Sequence, residues 1–218
     1  MSAVRPCMKL KLTKNKPDIF SSKIGGLGYL PHDMDIPVNK NGNQLRLLAQ
    51  INCSDVKLEN FPKTGLLQFW ILNDTFLGLD FEDGTNQDGF RVIYHPYIDT
   101  TVSELEVSFK VFKSPFDDDD NFPIRGEYAV SMVACEENSD DSDEDHEAMQ
   151  GHKIGGFPYF IQSDPRKTGE VYDFLLFQID SDYATEKDES GRLVYVEKIR
   201  VLLLFMHHKI NVYDANSG

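Results

Sequence analysis

Cysteine is scarce in this chain. Cys7, Cys53 and Cys135 are its only three, scattered and odd in number. No CxxC pair and no Cys/His spacing suited to zinc occurs, so neither a disulfide framework nor a metal staple is expected to hold the fold. The pattern reads as reduced thiols in a cytoplasmic protein. Long apolar runs are missing too. The stretch at 201–206, VLLLFM, falls far short of the roughly 20 residues that a spanning helix needs. The opening MSAVRPCMKL has no apolar run behind its basic residues and does not read as a secretory signal. Positive charge is in short supply, with 22 Lys and Arg against 36 Asp and Glu and a net charge of −14. That balance argues against nucleic acid and anionic membrane as partners, because both are held mainly through Lys and Arg. Catalytic signatures are absent as well: no GxSxG elbow, no kinase set, no Walker loop and no GxGxxG. HEAMQ at 146–150 lacks the second histidine of a zinc helix, and no cofactor or metal is implied. The balance leans away from an enzyme, with catalytic residues unknown.

What is present is a 218-residue chain of ordinary hydrophobic content, 40%, and charged content, 27%. Much of the acid is local. DDDD fills 117–120, and EENSDDSDEDHE fills 136–147, a composition expected to be solvated. The tetrapeptide Lys-Ile-Gly-Gly occurs twice, at 23–26 and at 153–156. LRLLAQINCSD at 45–55 finds an echo in YDFLLFQIDSD at 172–182, and LLQFWI at 66–71 a weaker one in LLLFMH at 202–207. Three matches in one order imply a tandem repeat. The chain is therefore expected to be a single domain over 1–218. Repeat one runs from about 15 to 135 and a shortened repeat two from about 150 to 218, joined by an acidic linker at 136–149.

Short runs rich in apolar, aromatic and β-branched residues, punctuated by turn formers, mark the secondary structure as mostly strand. LRLLAQI, GLLQFWIL, FRVIYH, EYAVSMVA, DFLLFQI and RVLLLFM are the clearest. SELEVSFKVF alternates from Leu105 to Val111 and reads as a half-buried strand. Helix is expected only before Ser21 and in SDVKLEN. The fold class so read is α+β, β-rich, with mainly antiparallel sheets, two intertwined internal repeats and few short helices.

SKIGGLGYLP, LLAQIN, FPKTGLLQFWI and FRVIYH, with HKIGGFPYFIQSDPR and LLFQIDSD later, resemble the YwqG-like family, a domain family of unknown function. The resemblance covers about 20–182. It implies an α+β fold of two intertwined repeats, each a helix followed by several strands, and it implies no known activity. After Asp182 the chain lacks the family's Gly-Asp-x-Gly turn and closing Trp-Asp-Cys, so this segment is expected to be diverged or truncated.

The repeated residues are the candidate ligand-binding groups. Gly25, Gly26, Gly155 and Gly156 suit a bulge or a crossing of backbones, or else a cradle for an anion beside Lys23 or Lys153. Gln50 and Gln178 are amides inside apolar strands, where each must find hydrogen-bond partners or face a ligand. Asp164 and Arg166 flank Pro165, as a turn or as a base with an anion anchor. The leading functional expectation is a non-catalytic binding module for a protein or small-molecule partner. The alternative is an enzyme or small-molecule-binding protein with its site where the repeats meet.

Overall fold

The computed structural model describes residues 3–13, 15–112, 122–124, 126–139, 149–160, 174–187, 193–199 and 203–207. Two compact units divide the chain. One comprises Met1–Lys11, Lys57–Phe61 and Ser131–Asn211; the other comprises Leu12–Val56, Pro62–Val130 and Val212–Gly218. We refer to them as units 1 and 2.

Unit 2 is built on β2 (Lys23–Gly25), β3 (Arg46–Asn52), β4 (Leu66–Ile71) and β5 (Phe90–His95). These pair antiparallel in that order, with Leu47 opposite Trp70 and Gln50 opposite Gln68 on β3 and β4. All six residues of β4 are buried, as are the five inner residues of β3, which explains why both read as apolar runs, broken only by Gln68 and Gln50. The first residues of β6 (Glu127–Asn138) pair with β2, Gly25 opposite Glu127. The core of this unit gathers Ile19, Leu27, Tyr29, Leu30, Leu45, Leu47, Trp70 and Val107 among others.

Unit 1 orders its strands β11 (Leu203–His207), β8 (Phe174–Ile179), β7 (Lys153–Gly155), β1 (Val4–Thr13) and the remainder of β6. The Ser139 N–H donates to the Ala3 carbonyl at 2.9 Å, and Cys7 is bonded to Cys135, so β1 and β6 run antiparallel. A separate hairpin pairs β9 (Asp182–Lys187) with β10 (Leu193–Ile199). Among the described residues no helix is long and apolar enough to cross a membrane.

Several expectations are corrected. The fold is not α+β: it is mostly antiparallel sheet, and the helices among its described residues are short. The N-terminal region expected to be helical is β1, and SDVKLEN contributes only a 3-10 turn at Cys53–Asp55. SELEVSFKVF is no strand. It is α1 (Glu104–Phe109), capped by the Ser103 side chain, which accepts from the Glu106 N–H. Ser103-x-x-Glu106 has the spacing of a capping box, and the local cap outweighs a short alternation. Only Val107 is buried within α1, while Leu105 and Phe109 point to solvent. The thiols are not all reduced either: Cys7 and Cys135, 128 residues apart, meet on adjacent strands, and Cys53 alone stays free. Finally, the acidic run begins inside β6, where Glu137 is buried. The rest of that run, 140–147, lies outside the described residues, as does DDDD at 117–120.

Candidate functional site

The two Lys-Ile-Gly-Gly segments fold alike. In each, Lys-Ile-Gly is a three-residue strand whose lysine lies opposite a glutamine, Lys23 with Gln50 and Lys153 with Gln178. Both glycine pairs take left-handed backbone, Gly25 and Gly26 at φ 72° and 73°, Gly155 and Gly156 both at 73°. A side chain at these positions has no room. A Cβ on Gly25 runs into the carbonyl of Gly126, and one on Gly155 comes within 2.7 Å of the Pro6 carbonyl. A Cβ on Gly26 or Gly156 falls onto the carboxylate of Glu127 or Glu137.

Those carboxylates are there for the lysines. Lys23, only 1% exposed, donates from Nζ to Glu127 Oε1 at 2.8 Å and to the Leu27 carbonyl at 2.7 Å. Lys153, with no exposed surface, donates to both Glu137 oxygens at 2.8 Å and to the Phe157 carbonyl. An ammonium group has three N–H bonds, and those of Lys153 have three acceptors. Burial pulls both lysines below their usual range, with the paired glutamate acting in the opposite direction. Glu127 lies on the strand that pairs directly with β2. The corresponding neighbour of β7 is β1, where Cys7 stands opposite Gly155, and the carboxylate comes instead from Glu137 on β6.

The glutamines close the chain segments that lead into these strands. Gln50 Oε1 accepts from the Tyr29 N–H at 2.8 Å, and its Nε2 donates to the carbonyls of Ile19 and Ser21, both at 2.9 Å. Gln178 repeats the set with Tyr159, Met149 and Gly151. Each partner of Gln178 lies 130 positions beyond its counterpart at Gln50. Lys23, Gln50, Lys153 and Gln178 thus all have internal partners, and Asp164 and Arg166 lie outside the described residues.

Unit 2 carries a second layer of polar groups that sequence reasoning missed. Gln68 Nε2 donates to Gln50 Oε1 at 2.8 Å and to the Tyr29 carbonyl at 2.6 Å. Its Oε1 accepts from Trp70 Nε1 at 3.0 Å and lies 3.1 Å from His95 Nε2. With the Gln68 oxygen as acceptor, His95 carries its proton on Nε2. Burial depresses the His95 pKa to about 4, so the ring stays neutral near neutrality. His95 also stands edge-on to the Tyr29 ring at 5.3 Å. By strand register, the place of Gln68 opposite Gln50 corresponds in unit 1 to Leu204, opposite Gln178. The signal in the sequence was that Gln68 and His95 interrupt apolar strands just as Gln50 does.

This network holds Trp70 against a cavity of about 500 Å³ in unit 2. Leu27, Gly28, Ile36, Leu45, Leu47 and Val107 make its walls mainly apolar. Gln44, Arg46, Asn73 and Asp74 add a few polar groups, and Phe112 is part of the lining. The Arg46 guanidinium stacks over the Phe122 ring at 4.1 Å. An apolar hollow of this size with a handful of polar groups has the make-up of a small-ligand pocket. Among the described residues, no cluster of His, Cys, Asp and Glu has the arrangement to hold a metal ion.

A β-rich protein with twin buried Lys–Glu clusters and one lined cavity is the class that fold and site define. The chain belongs to the family described as a domain of unknown function, DUF1963, whose model matches residues 22–195. The match takes in both Lys-Ile-Gly-Gly segments and every cavity-lining residue. No curated protein matches the chain.

Proposed function

We propose that the chain is a non-catalytic binding module of YwqG-like kinship, with the cavity of unit 2 as its binding site. The observation that carries this reading is the cavity itself, about 500 Å³ with apolar walls, braced by the Gln50–Gln68–Trp70 network. The matching bonds at Lys23 and Lys153, and at Gln50 and Gln178, support a tandem repeat in which these residues are scaffold. In unit 1, Leu204 and Met206 stand where unit 2 has Gln68 and Trp70. The repeat that kept the amide ladder is the one assigned the ligand. The net charge of −14 supports a partner other than nucleic acid. The Cys7–Cys135 bond favours an oxidising setting over the cytoplasm expected from the scattered cysteines.

The test is a thermal melt against organic acids, sugars, nucleotides, apolar aromatics and short peptides. A ligand at 100 times its Kd stabilises by about 2.7 kcal/mol, which for a chain this long raises the midpoint by roughly 5–10 °C. Val111→Phe, which fills the cavity from its lining, removes the shift while the free variant melts as before. If no compound of any class shifts the melt, or if Val111→Phe leaves the shift intact, the reading fails.

A further inference from the structure

The surface beside the cavity narrows the kind of occupant. Phe112 lines the cavity yet is 83% exposed. Asp74, on the lining, opens the loop from 73 to 89, which displays Phe76 and Phe81, 58% and 73% exposed, packed edge-to-face at 5.2 Å. A site that encloses a whole small molecule has no need of aromatic rings turned to water. Exposed aromatic surface at the edge of a pocket, as Phe112 provides, is what a longer ligand covers.

Charge supplies the second line of argument. The loop holds Asp74, Asp80, Glu82, Asp83 and Asp88 with no lysine or arginine between 73 and 89. Lys40 lies 3.7 Å from Asp88, Asp83 accepts from the Thr85 N–H and hydroxyl, and Glu82 is exposed. Among the described residues that line the cavity, Arg46 is the basic one, its guanidinium stacked on Phe122.

The loop is also set in advance. Asp74 Oδ1 accepts from the Phe76 and Gly78 N–H groups at 3.0 and 2.9 Å, and Asp80 Oδ1 accepts from those of Glu82 and Asp83. Leu77 is held at φ 55°, a left-handed conformation that a leucine rarely takes. A rim already fixed loses little entropy when it is covered.

We infer that the occupant of the cavity is a segment of a partner protein that inserts one apolar side chain and sets lysine or arginine on either side of it. This rests on the cavity being a binding site. The apolar anchor fills the hollow beside Trp70, its neighbours cover Phe112 and reach toward the Phe76–Phe81 pair, and a basic flank faces Glu82. Opposite charges of this kind speed encounter and select the partner more than they add affinity.

The experiment selects binders to the 218-residue chain from a random peptide library and measures the selected peptides by titration in 50 and 300 mM NaCl. The expected consensus is a Leu, Ile or Phe between basic residues, with affinity falling as salt rises. Phe112→Ser weakens it at least tenfold and Glu82→Lys about fivefold, with circular dichroism confirming that both variants fold. A consensus that is neutral or acidic, peptides indifferent to both substitutions, or no selected peptide at all overturns the inference. Small organic molecules that shift the melt while every peptide fails would sink the inference and leave the cavity's binding role standing. If neither small molecules nor peptides bind, both readings fall together.

Discussion

Removing the Lys23 ammonium tests the scaffold on which the cavity stands. Lys23→Met keeps the length of the side chain and deletes its charge. Glu127, whose side chain is only 10% exposed, then faces the interior without its cation, and the Leu27 carbonyl loses its donor. Breaking one side of a buried pair costs about 3–5 kcal/mol, because the remaining charge is stranded. Glu127→Leu strands the ammonium instead and is expected to cost a similar amount. The double variant strands no charge. Its cost is mainly the unpaired Leu27 carbonyl, about 1–3 kcal/mol, far below the sum of the single changes. Trp70 is the chain's only tryptophan and belongs to unit 2, so its emission during urea unfolding reads the unit that holds this pair. The stabilities come from the midpoint at constant slope. Single substitutions costing under 1 kcal/mol, or a double variant whose cost is the simple sum, would refute the reasoning.

Other outcomes follow from particular groups. His95 has a pKa of about 4 in the fold against an ordinary 6.5, so the unfolded chain takes up the proton first as pH falls. Its contribution is complete above pH 6.5 and lost progressively toward pH 4, at most about 3 kcal/mol. Urea midpoints across that range should fall in the native chain, and His95→Gln should remove this part of the fall; an unchanged profile contradicts the assignment. Gly155→Ala forces a Cβ into left-handed backbone, 2.7 Å from the Pro6 carbonyl. The left-handed conformation alone costs about 1–2 kcal/mol, and the clash adds to it, as a drop in the midpoint followed by circular dichroism would register. Burial pushes the Cys53 thiol up to about 12, and Cys7 and Cys135 are bonded. Thiol titration without reductant should therefore find no reactive group in the folded chain and Cys53 alone after unfolding. Reaction at Cys7 or Cys135 would contradict the bond.

The parts of the fold legible in the sequence were those where burial leaves a mainly apolar imprint. β3, β4 and β8 are buried along nearly their whole length, so their runs stood out. α1 was hidden because Leu105, Val107, Phe109 and Val111 alternate like a strand, while the evidence for helix lay in the cap at Ser103. β1 mixes exposed, half-buried and buried positions, so its pattern carried no clear period. The recurrence of Lys-Ile-Gly-Gly is matched by left-handed backbone at all four of its glycines. Glu137 was read as solvated because its neighbours in sequence are acidic. Its burial comes from Lys153, which only the pairing of β7 and β1 beside β6 brings near. The cavity was hidden for the same reason: its lining joins segments as distant as Gly26 and Phe112, and although Gly26 belongs to the first Lys-Ile-Gly-Gly, nothing in the sequence shows which segments meet around it.

The most direct measurement follows Trp70 itself. Its ring lines the cavity and its Nε1–H is tied to Gln68, so an occupant must change its surroundings. Native chain and Val111→Phe are titrated with whichever compound shifts the melt most, and the emission is recorded. The account predicts a saturable change in the native chain, at the concentration that produces the thermal shift, and none in the variant. Binding that leaves the emission of Trp70 untouched would place the ligand elsewhere and contradict the account.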